Sequence, residues 1–484
     1  MKYLNPVIKG FYPDPSLIVK DKKLFLVTSS CHYFPAVPLF ESDDMVNWRQ
    51  IGNVLNRESQ VDLKDATHFD GVFAPTLRYH DGRFYMTTTN FKTKENFYVY
   101  TDDIYGSWSD PIIVDQDGID PSLFFEDGHC YFLSNGTDDQ GEHGIVQCEI
   151  DIATGKKLST AKVIWKGSGG RYIESPHTYK INGLYYLMVA EGGTEYGHMI
   201  TIARSKDIWG PYVGNPANPI LTNRNKGEFV IQGAGHGELF QYTDGNWYLM
   251  CLAFRQLSKA DMFHNLGREV HLLPVSFNEE GWPVCGYDGT LDYEYELPGS
   301  FAQLPLSDPN FTNTSFDLDW VKLRKAQNEN YQYQDGVLKL LGNDDDLSSG
   351  KAPVFIGLRQ KEFKMHVRVD AKGNGGLSAY MCDDEHFDLY LKDQQVILEY
   401  TLAGIHHQQA VCQLNDDHAT LFIDADHQYY YFSYQSAGQK EKLGQIRAKY
   451  LSSEVSGGFT GVVVGLFASK NACVEFTNFN CHYE

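Results

Sequence analysis

The sequence predicts an all-β protein, a five-bladed β-propeller followed by a β-sandwich. Three observations lead there. One motif recurs five times in the first half, helical periodicity is almost absent from that half, and short alternating strands resume after residue 313 without the motif.

Each copy of the motif joins a small or polar dyad, a short apolar run, a turn and an aromatic-rich strand. The copies run from Asp14-Pro15-Ser16 to Phe25, Ala74-Pro75-Thr76 to Tyr85, Asp120-Pro121-Ser122 to Tyr131, Ser175-Pro176-His177 to Tyr186, and His236-Gly237-Glu238 to Tyr248. In the first four, the proline precedes the aromatic residue by ten positions; the fifth is one residue longer. Asp81-Gly82, Asp127-Gly128 and Asn182-Gly183 are strong hairpin signals, because a type I′ turn needs positive φ at both central positions. The aromatics recur at steps of 60, 46, 55 and 62 residues. A four-stranded blade takes roughly 40–50 residues, more with insertions. Five blades therefore occupy residues 1–300.

Each dyad falls at the axial start of an innermost strand. Five equivalent loops then converge near the axis, and Asp14, Asp120, Glu174 and His236 can share one pocket. Proline disfavours a helical backbone at the residue before it, so Asp14 and Asp120 are expected to be extended. Residues 301–313 read as a linker with no clear period. Residues 314–484 hold many short strands separated by turn residues, as in 376–382, 386–391 and 428–433, which suits a sandwich.

Composition narrows the partners. The 484 residues carry 41 Lys and Arg against 63 Asp and Glu, a net charge of −22. That balance excludes nucleic-acid binding through a basic face and a polybasic membrane surface. The longest apolar runs, at 184–190 and 462–468, are far short of the ~18 residues that span a bilayer. The first residues lack the apolar core of a signal peptide. Nine cysteines, an odd number with no C-x-x-C pair, suit buried thiols in a reducing compartment. The expected location is cytoplasmic.

Three carboxylates from three blades suit glycosidic hydrolysis. One acid protonates the leaving oxygen, and one carboxylate on the opposite face activates water in an inverting enzyme. A third nearby acid raises the proton affinity of the first by like-charge repulsion.

Residues 5–16, from Asn5-Pro6 to Asp14-Pro15-Ser16, together with Gly71-Val72-Phe73-Ala74-Pro75, Gly118-Ile119-Asp120-Pro121-Ser122 and Tyr172-Ile173-Glu174-Ser175-Pro176-His177, resemble the ordered motifs of glycoside hydrolase family 43. The segments at residues 190–198, Gly235-His236-Gly237 and Leu266-Gly267-Arg268 continue that order. The resemblance spans nearly all of residues 5–285. It implies a five-bladed propeller that cleaves terminal β-D-xylosides or α-L-arabinofuranosides with inversion. Asp14 would be the general base, Asp120 the modulator and Glu174 the general acid. Phe34, Phe73, His236, Arg268 and Phe459 would contact substrate. No cofactor is required, although in some relatives the residue matching His236 helps hold an axial calcium ion through water.

The C-terminal region resembles the concanavalin-like jelly roll that accompanies such enzymes. Residues 457–461 look like a loop that reaches over the pocket, with Phe459 closing one side. The implied partners are xylo-oligosaccharide or arabinoxylo-oligosaccharide substrates, and a homo-oligomer is compatible with the pattern. Two departures stand out. Phe73 replaces the tryptophan of many family xylosidases, and Ser175 replaces the glycine after the acid, which would add a hydroxyl beside it.

Overall fold

The computed structural model describes residues 1–299, 301–309 and 318–484. Five four-stranded antiparallel sheets form the propeller. Their innermost strands are Ser16–Lys20, Thr76–His80, Ile119–Glu126, Glu174–Ile181 and Ile231–Gln241. Blades 1 to 5 are numbered in that order. Four of the five first hairpins turn through two residues with positive φ: Asp21-Lys22, Asp81-Gly82, Asp127-Gly128 and Asn182-Gly183. The fifth copy takes up its extra residue in a longer turn, residues 242–246 between Gln241 and Trp247.

The ring is closed by the N-terminal segment. Lys2–Leu4 pairs with Glu294–Glu296, and Val7 and Ile8 donate to the carbonyl of Val270 in blade 5. Inter-blade packing is aromatic and aliphatic. Phe25, Val27, Leu77, Phe84 and Met86 fill the space between blades 1 and 2, each at most 5% exposed. Burying such a side chain contributes about 1.5–3 kcal/mol.

The C-terminal region is a two-sheet sandwich of seven and eight strands. Inward-facing residues alternate with outward ones along Met365–Gly373 and His418–Ala425, as a half-buried sheet requires. The eighth strand of the larger sheet comes from the propeller. Tyr33–Phe34 pairs with Trp320–Leu323, so blade 1 lends a strand to the sandwich. Leu257 and Leu266 of the propeller also enter the sandwich core, and Arg255 of blade 5 bonds Glu362 at 2.6 Å. The expected boundary at 313/314 lies outside the described residues, as does residue 300.

Candidate active site

The innermost strands begin with unusual backbone. Asp14, Asp120, Ser175 and His236 have φ of 59°, 52°, 55° and 38°. The extended conformation expected before proline is therefore absent at Asp14 and Asp120. Left-handed backbone costs a non-glycine residue about 1–2 kcal/mol. Such strain persists where surrounding structure fixes the residue, and it clusters at functional sites. Its result here is to turn side chains inward at the ring's centre.

Asp14 is 7% exposed. Its carboxylate accepts from the Ser29 hydroxyl at 2.6 Å and from Arg268 Nη1 at 3.3 Å, and it lies 3.5 Å from His236 Nδ1. His236 Nδ1 also lies 3.9 Å from Asp120 Oδ2. Burial raises the proton affinity of Asp14, but Arg268, His236 and Ser29 outweigh it and hold the carboxyl below its usual range. Burial and the charges of Glu174 and Asp14 hold Asp120 well above its own. Burial and Asp14 push Glu174 up to about 7. Asp120 and Glu174 repel each other inside one buried space, so the pair retains a proton near neutral pH. Burial lowers His236 to about 4, which leaves it neutral there.

Arg268 is only 6% exposed. Besides Asp14 it donates to Thr194 Oγ1 at 2.9 Å and to the backbone carbonyl of Phe459 at 3.0 Å. The adjacent Glu269 pairs instead with Arg255 at 2.7 Å. Phe459 reaches the propeller as expected. Its ring meets Phe73 edge-on at 5.6 Å, and Phe73 stacks on Phe91 at 4.4 Å. Phe34 is placed elsewhere. It is 3% exposed and packs among Val27, Val37, Leu55 and Ala36 at the seam with the sandwich, because its backbone is committed to the sandwich sheet. The Ser175 hydroxyl is buried without a hydrogen-bond partner, so it gives no bond to Glu174.

A buried ionic network lies two or three residues farther along the same strands, and sequence reasoning missed it. Glu238 accepts from Ser16 at 2.7 Å, Arg78 at 2.9 Å and Tyr179 at 2.8 Å, and lies 3.1 Å from His177 Nδ1. Arg78 also donates to the Leu123 carbonyl at 3.2 Å. All five innermost strands thus meet on one ion pair. Burial raises the proton affinity of Glu238, but Arg78 and His177 more than reverse it, and the carboxyl stays far below its usual range.

This network bears on an axial metal. Arg78 already supplies a cation at the axis, and among the described residues no three His, Cys, Asp or Glu side chains converge as metal ligands. The donor set does not fit a directly ligated calcium ion.

Comparison with known proteins agrees with this geometry. The profile for Glycosyl hydrolases family 43 matches residues 3–283, and that for the β-xylosidase C-terminal concanavalin A-like domain matches residues 308–481. A non-reducing end α-L-arabinofuranosidase of Bacteroides ovatus is 35% identical, covering 97% of this chain and 92% of its own. A xylosidase/arabinosidase of Butyrivibrio fibrisolvens is 34% identical, covering 96% of both. Among solved structures, a xylan β-1,4-xylosidase of Bacillus halodurans superposes with a TM-score of 0.92 at 29% identity, covering 99% of this chain and 100% of that one. With its propeller, its sandwich and its three axial carboxyl groups, this chain belongs to glycosyl hydrolases family 43.

Proposed function

We propose that this glycosidase is an inverting, exo-acting enzyme that releases terminal pentose from xylo-oligosaccharides and arabinoxylan fragments, with β-xylosidase and α-L-arabinofuranosidase activity in one pocket. The observation that carries this reading is the opposite displacement of two carboxyl groups. Asp14 is held ionised, while Glu174 keeps its proton to about 7. Environments that push two acids apart assign a base and an acid.

In the reaction, Asp14 takes a proton from water as the water oxygen bonds to the anomeric carbon. The glycosidic C–O bond breaks on the other face, and Glu174 gives its proton to the leaving oxygen. Burial and the Asp14 charge keep Glu174 protonated, and Asp120, the modulator, is the second acid of the pair that holds the proton. Arg268 fixes Asp14 and offers donors to sugar hydroxyls. Phe73 and Phe459 wall the terminal sugar, which favours a chain end.

Full-length similarity to relatives named for both pentosides supports the dual substrate range. A cytoplasmic location is supported by nine free cysteines, seven of them buried. The test is hydrolysis of aryl β-D-xyloside and aryl α-L-arabinofuranoside, with product configuration followed by NMR. Inverted pentose is expected, and cleavage of neither substrate would overturn the proposal.

A further inference from the structure

We infer that Tyr172, backed by Arg171, is the platform for the leaving-group sugar, the second ring of a pentose oligosaccharide. This rests on the reading of Glu174 as the general acid. The leaving oxygen must lie beside the acid, so the second ring lies over whatever side chain is presented next to Glu174 on the solvent side. Of the four residues flanking Glu174, Ile173, Ser175 and Pro176 are buried, whereas Tyr172 is 60% exposed.

Tyr172 is held in place. Its φ is 52°, a conformation a bulky residue rarely adopts. The Arg171 guanidinium lies 5.0 Å from its ring centroid and is fixed by an ion pair to Glu195 at 2.9 Å and a bond to the Gly192 carbonyl at 3.2 Å. The pair packs tightly on Gly193, where a Cβ would stand 2.9 Å from Arg171 Nη2 and 3.2 Å from Tyr172 Cδ2. The next residue, Thr194, accepts from Arg268 inside the pocket at 2.9 Å. One short loop therefore ties the exposed ring to the pocket that holds Asp14, and places the ring at its mouth. An aromatic face packs on the apolar C–H face of a sugar at little entropic cost, and Arg171 supplies hydroxyl donors beside it.

Phe69 is the rival platform. It is 48% exposed and meets Phe459 edge-on at 6.3 Å.

The test compares kcat/KM for the disaccharide and for the methyl glycoside of the preferred pentose, in wild type, Tyr172→Ala, Tyr172→Trp and Phe69→Ala. A methyl aglycone is too small to cover the ring. Tyr172→Ala is expected to lower the disaccharide-to-methyl ratio about 3- to 10-fold, mainly through KM, with Tyr172→Trp retaining it. An unchanged ratio in Tyr172→Ala, or a loss carried by Phe69→Ala instead, overturns the platform while leaving the pentosidase reading intact. A wild-type enzyme that cleaves neither glycoside overturns both.

Discussion

The backbone carbonyl of Phe459, in the sandwich, accepts a 3.0 Å hydrogen bond from Arg268, in the propeller. The same guanidinium reaches Asp14. The second domain therefore helps to orient the group that holds the proposed base ionised.

Arg268→Gln removes the positive charge that lowers Asp14. With burial no longer opposed by it, the Asp14 carboxyl binds its proton more tightly. Because the base must be ionised, the acidic limb of the kcat/KM–pH profile should move to higher pH. Loss of a charge-assisted bond of about 1.5–3 kcal/mol implies roughly 10- to 150-fold lower kcat/KM at neutral pH. A profile with an unmoved acidic limb would argue against Asp14 as base.

The alkaline limb should report Glu174, whose proton is held to about 7. Activity should fall above that pH as the acid ionises. Asp120→Asn removes the second acid of the pair that retains a proton, leaving Glu174 to burial and the Asp14 charge alone. The last proton should then leave earlier, and the alkaline limb should shift to lower pH. The acidic limb serves as the internal reference in the same titration.

Much of this was legible in the sequence because repetition marks geometry. The ten-residue interval from proline to aromatic located four innermost hairpins, and the turn residues took the backbone they require. The axial position in each repeat then singled out Asp14, Asp120 and Glu174. What escaped depends on contacts between distant segments. Nothing local in Tyr33-Phe34 says that it will pair with Lys322 and Leu323, nearly 290 residues away. Glu238 and Arg78 read as ordinary strand residues until five strands bring them together. The rule for residues before proline failed at Asp14 because the ring geometry overrides a preference of local origin.

The loop carrying Phe459 depends on Gly458. Its φ is 73°, and a Cβ there would stand 2.1 Å from the His68 ring. Gly458→Ala must therefore displace the loop, which is held by Phe459 N–H on the His68 carbonyl at 3.0 Å and by Glu454 on the His264 ring at 2.7 Å. The propeller carboxyl groups keep their own strands. The expected result is a raised KM and an acidic limb shifted as in Arg268→Gln, but by less. A shift in KM alone would mean that Arg268 holds Asp14 without help from the loop.

Glu238 tests whether the axial ion pair holds the ring together. Its folded-state proton affinity is depressed, so its stabilisation is present above the ordinary carboxylate range and is lost as pH falls below it. Glu238→Gln leaves Arg78 buried without its charge partner, and breaking such a pair costs about 3–5 kcal/mol. Urea melts at neutral pH should show a loss of that size. The gap between wild type and variant should narrow as pH drops through the range where the unfolded carboxyl gains its proton, since the unfolded wild-type chain then binds a proton that the folded carboxylate does not. A gap that stays constant down to acidic pH would mean that Glu238 acts through its hydrogen bonds and shape, not its charge.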